Sequence, residues 1–165
     1  MYIRDKKTSF ALVADKAELD YFHQASVKDC ASATVYSAYC KMTNGCPAWL
    51  QAAFWLRDKM SALANVENIK GFHNKKPDSP PKAGEKLDFF DVVEISEYEL
   101  ILMSSDRHLS VLIAINMQSN EGTGKNLTIT ASVKNKNFFG HLYMVPVRPA
   151  HSFIVNNMLK KVSFK

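Results

Sequence analysis

The chain has 165 residues, 47% of them apolar and 22% charged, with six glycines and six prolines, which excludes a disordered, collagen-like or low-complexity polymer and leaves room for one hydrophobic core. Lysine and arginine (21) exceed aspartate and glutamate (16) for a net charge of +5, but the basic residues come as scattered pairs such as Lys6/Lys7 and Lys160/Lys161. With no arginine-rich run or aromatic-interleaved basic stripe, nucleic acid is not the expected partner. No apolar stretch approaches the length of a membrane span, and residues 1–10 carry charges where a signal peptide would be apolar, so a cytoplasmic protein is expected. Cys30, Cys40 and Cys46 are odd in number and lack metal-ligand spacing, so reduced thiols and no metal site are expected.

Residues 1–10 read as a flexible tail, and the core as about 20–162 of a single domain. The loose alternation and the aromatic and β-branched residues of 20–29 predict a first strand. Residues 32–41 suit a short helix ended by Thr43-Asn44-Gly45. Pro47 then opens a second helix to about residue 65, whose apolar stripe runs through Trp49, Ala53, Leu56, Met60 and Leu63 with Arg57 beside it. Residues 71–88 are rich in proline and lysine and predict a long loop, a lid or a simple connection.

From residue 90 the period changes to two. Segments 90–95, 98–103, 107–117, 127–136 and 139–147 predict an antiparallel meander with one buried and one wet face. Gly122-Thr123-Gly124 reads as a turn. The last helix is expected over about 148–162, starting at Arg148-Pro149, with His151, Ile154, Val155, Met158 and Val162 on one face. A sheet with an apolar face needs a cover, and the helical stripes supply it, which makes the fold α+β.

Four motifs then carry a resemblance: Pro-Ala-Trp-Leu (47–50) with Leu-Arg-Asp-Lys (56–59), Asp-Arg-His-Leu (106–109), and Gly-His-Leu-Tyr-Met-Val-Pro-Val-Arg-Pro-Ala-His (140–151). Taken in order over about residues 21–162, they resemble the bacterial domain of unknown function family 2867. The resemblance implies a START-like helix-grip fold of the SRPBCC type: a curved antiparallel sheet, two helices after the first strand, and a C-terminal helix packed on the concave face around an apolar cavity. It implies no established reaction and no cofactor. Ala150 stands where the family commonly has Phe, and a last helix beginning at Arg148 is short for this fold.

The residues to watch are Asp106, Arg107, His108, Tyr143, Arg148 and His151, with Arg57 and Trp49 as further ligand-binding candidates. A guanidinium offers carboxylates a planar bidentate fork, so Arg107 or Arg148 would orient the polar end of a ligand; a paired arginine is the other reading. His151 sits on the buried stripe, in the first turn of the expected helix, where the dipole disfavours an imidazolium. A neutral His151 is expected there, as a satisfied core residue or as a general base. Motifs of common nucleophilic, zinc and phosphate sites are missing. The expected function is therefore binding of a small apolar or amphipathic molecule between sheet and C-terminal helix. The alternatives are an enzyme using His151, Tyr143 and Asp106 for acid-base chemistry, or an accessory domain docking on a protein partner or a second copy.

Overall fold

The computed structural model describes residues 2–5, 9–45, 76–119 and 124–163. The expected helix over 47–65, with Trp49 and Arg57, lies outside the described residues, as do residues 71–75 of the expected loop. The architecture is α+β. Strands β1 (Ile3–Arg4) and β2 (Ala11–Leu12) form a hairpin. A six-stranded antiparallel sheet combines β3 (Tyr21–Val27), β4 (Lys86–Leu87), β5 (Phe90–Ile95), β6 (Glu99–Ser105), β7 (Leu109–Ser119) and β8 (Lys125–Asn135) in the order β3-β8-β7-β6-β5-β4. Helix α1 is Val35–Thr43 and helix α2 is Phe138–Lys160.

The strands form where alternation was strongest, and short polar turns set their register. Between β6 and β7 the Asp106 carboxylate accepts hydrogen bonds from the main-chain N–H groups of His108 and Leu109 at 2.7 and 2.9 Å, fixing a tight turn. Eleven paired positions then hold β7 on β8. Helix α1 starts at a reciprocal cap in which Thr34 and Ser37 each accept the other's main-chain N–H.

The larger core lies on one face of the sheet. Leu87, Phe90, Val92, Leu100, Leu102, Ile115, Met117 and Leu127 pack there against Val35, Tyr39 and Met42 of α1 and Val155 and Leu159 of α2. The opposite face, expected to be wet, has a second buried cluster of Ile101, Leu112 and Ala114 beneath Ala11 of β2, joined by Tyr2, Val13 and Val93. Part of the segment expected to be a tail is thus the cover of this face. Its attachments are polar at the rim: Tyr2 donates to Glu94 at 2.6 Å, Arg4 pairs with Glu99 at 2.8 Å, and Val13 N–H donates to Ser132 Oγ at 3.0 Å.

The segment 139–147, expected as a strand, is the first part of α2, and Pro146 and Pro149 lie inside that helix rather than at its start. Local chemistry explains the difference. Asn137 has extended backbone angles and its side chain accepts from Gly140 N–H at 3.1 Å, which begins the helix at Phe138, ten residues before Arg148. Gly140 also lets the first turn approach the β6–β7 turn: a Cβ there would lie 2.4 Å from the His108 carbonyl oxygen. Gly140→Ala is therefore expected to destabilise the fold by about 1–3 kcal/mol through overpacking, although alanine is the better helix former. A urea midpoint at or above wild type would refute this contact.

Candidate functional site

The alternation of β3 places Phe22, Gln24 and Ser26 outward, and Tyr21, His23, Ala25 and Val27 half-buried on the face that α2 covers. Ala25 and Val27 join the larger core, so Tyr21 and His23 are polar aromatics at the edge of an apolar face. Helix α2 brings His151 against both. The His151 ring meets Tyr21 edge-on at 5.6 Å and His23 edge-on at 5.7 Å between centroids, and Tyr21 stacks on His23 at 6.5 Å. The Tyr21 hydroxyl lies 3.4 Å from His151 Nδ1 and 3.3 Å from Ser152 Oγ.

Burial, helped by the neighbouring His23, pushes the His151 pKa down to about 4, so its imidazole is neutral at physiological pH. The cause differs from the one expected. His151 lies deep in α2, not in its first turn, so desolvation and not the helix dipole sets its charge. His23 Nδ1 is buried and finds no hydrogen-bond partner among the described residues. Two imidazoles, one of them neutral and the other with an unused nitrogen, thus meet a tyrosine hydroxyl between an edge strand and a helix.

A polar seam extends this cluster along β3 and β8. Arg148 Nη2 donates to the Asp20 carbonyl at 2.9 Å. The Asp20 carboxylate accepts from Asn135 N–H at 2.7 Å and lies 3.7 Å from His141 Nδ1, to which the Asn135 amide nitrogen also comes within 3.1 Å.

Arg148 and His151 come together with Tyr21, His23 and Asp20. Tyr143 is half-buried on α2, eight residues before His151 and hence about 12 Å away along the helix axis. Asp106 and Arg107 occupy the β6–β7 turn: Asp106 serves as the turn cap, and exposed Arg107 donates from Nε to His108 Nε2 at 3.0 Å. His108 in turn meets Asn137 at the start of α2. Among the residues not foreseen, Tyr21 and His23 had a legible signal, two polar aromatics on the inward parity of a strand. Asp20, Asn135, His141 and Ser152 had none, because their meeting depends on the docking of α2.

A second polar cluster lies between α1 and the start of β5. The Lys76 ammonium pairs with the Asp88 carboxylate, with side-chain exposures of 8% and 1%, and Tyr39 donates to Asp88 at 2.6 Å. Burial and the Asp88 charge raise the Tyr39 pKa; burial, followed by Cys40, pushes that of Tyr36 up to about 12. Among the described residues no group of three histidine, cysteine, aspartate or glutamate side chains is placed to hold a metal ion, and no helix is long and apolar enough to cross a membrane.

The family described as "Protein of unknown function (DUF2867)" matches residues 14–158. None of the curated proteins matches. Among solved structures, an uncharacterized protein from Rhizobium leguminosarum is similar over 86% of this chain and 95% of its own, with 9% identity and a TM-score of 0.42.

Proposed function

The chain belongs to the DUF2867 family of proteins of unknown function, and from that premise we propose that it is a cytoplasmic module that binds a small, largely apolar molecule between the sheet and α2. The fold we assign is START-like helix-grip. Its support is the connectivity: the first strand of the large sheet pairs with the last, and the helix that follows lies against both. The observation that carries the reading is the buried His23 Nδ1, which has no hydrogen-bond partner among the described residues, beside a neutral His151. A buried polar atom without a partner is destabilising unless something satisfies it, and a ligand hydroxyl or carbonyl has the required chemistry. Apolar surroundings supplied by Ala25, Val27 and Met158 suit the rest of such a molecule.

Binding is favoured over acid-base catalysis by the same chemistry. A general base works best with a pKa near the working pH, and His151, at about 4, is far below it. Native mass spectrometry of the freshly purified protein tests the proposal. A retained small molecule is expected, and His23→Phe, which removes the buried nitrogen and keeps a ring, is expected to release it. The bare polypeptide mass alone, or full retention in His23→Phe, would reject it.

A further inference from the structure

Helix α2 carries a second, outward feature that the proposed ligand site does not use. Phe138, Leu142 and Val145 are 81%, 54% and 67% exposed. Their spacing of i, i+4 and i+7 puts them on one face, and exposed Pro149 continues the row at i+11. Scattered surface apolar residues need no explanation, but a continuous row on one helix does.

The charged side chains of the helix itself are all of one sign. The 23 residues of α2 include no aspartate or glutamate, while Arg148 and Lys160 are cationic. At the helix start the row is bordered by exposed Lys136 and by exposed Arg107 of the β6–β7 turn, whose carbonyl accepts from the Asn137 side chain at 3.1 Å. Arg107, Lys136 and Arg148 form no ion pair among the described residues. The nearest carboxylates are engaged elsewhere, Asp106 as the turn cap and Asp20 with Asn135 and His141. The whole chain adds a net charge of +5.

We infer that the outer face of α2 docks on an anionic lipid surface, with Phe138, Leu142 and Val145 entering the headgroup boundary and Lys136, Arg107 and Arg148 facing the lipid phosphates. An apolar row flanked by lysine and arginine and free of acidic residues is the chemistry of an interfacial helix. A second copy of the chain fits less well, because two such faces would bring like charges together. The helix lies on the surface and does not span it.

Vesicle flotation tests this directly, using equimolar phosphatidylcholine and phosphatidylglycerol against phosphatidylcholine alone. The full chain is expected to float with the anionic vesicles and to be released by salt. Lys136→Ala is expected to weaken partitioning by about fivefold, and Leu142→Glu by about tenfold or more. Both positions are exposed, and circular dichroism checks that each variant is folded; Val145→Ser serves as a milder second probe of the row. Failure to float with anionic vesicles, equal flotation with neutral ones, or partitioning unchanged in the folded Leu142→Glu variant would each overturn the inference. So would a dimer in sedimentation velocity that Leu142→Glu dissolves, since the face would then be covered by a second copy.

Discussion

Asp88→Ala is expected to destabilise the protein by about 3–5 kcal/mol, the range for removing one partner of a buried ion pair. The substitution removes the Asp88 carboxylate from the Lys76 ammonium, itself only 8% exposed, and also removes an acceptor of the Tyr39 hydroxyl. Asp88 further holds a left-handed backbone conformation with φ of 56°, which aspartate tolerates better than alanine. Asp88→Asn keeps the shape and the turn preference, so the difference between the two variants separates backbone from charge. Tyr39→Phe deletes one charge-assisted hydrogen bond and is expected to cost only about 1.5–3 kcal/mol. Urea denaturation with a common m-value measures all three, and a loss below about 1 kcal/mol for Asp88→Ala would show that the pair contributes little net stability.

Stability is also expected to fall by about 3 kcal/mol between pH 6.5 and pH 4 because of His151 alone. Its pKa in the folded chain is about 4, held down by burial and by His23, against 6.5 for an ordinary histidine. Above pH 6.5 the imidazole is neutral in both states and contributes no pH dependence. As pH drops below 6.5, the unfolded chain takes up a proton that the folded site refuses, so acid favours unfolding. Below pH 4 both states are protonated and the slope from this group vanishes. Carboxylates add their own acid dependence, and the comparison of wild type with His151→Phe isolates the histidine, since phenylalanine preserves the edge-on ring packing against Tyr21 and His23. Parallel stability curves for the two proteins between pH 4 and 6.5 would contradict the assignment.

How much of this was legible beforehand depended on how local the cause was. The strands β5 to β8 follow a period-two pattern that neighbouring strands reinforce, and their antiparallel order needs only short turns. The start of α2 was illegible in the same terms. Residues 139–147 contain aromatic and β-branched residues together with a proline, a composition that fits a strand, and the decision for helix rests on the Asn137 cap and on the contact between Gly140 and the His108 carbonyl. The cover on the second face was hidden for a related reason: Ala11 and Leu12 are too short a run to announce a strand, and Ala11 is buried there because Ile101, Leu112 and Ala114 await it. At the site, the inward position of His151 was legible from its helical stripe, whereas its neutrality, expected from a first-turn helix dipole, comes from burial. Its neighbours Tyr21 and His23 come from the far end of the chain.

That distance has a kinetic consequence. Gln24 and Thr130 face each other across β3 and β8, 106 residues apart, whereas β6 and β7 are joined by a three-residue turn. Loop-closure entropy makes the first pairing about 3 kcal/mol harder to initiate than a hairpin. The β6–β8 ribbon is therefore the natural nucleus, and β3 docks as a late arrival on a platform already built. The nest of rings formed by Tyr21, His23 and His151 exists only after that final docking, so the chemistry proposed for this protein is a property of the completed chain and is the first to vanish when the outermost strand peels away.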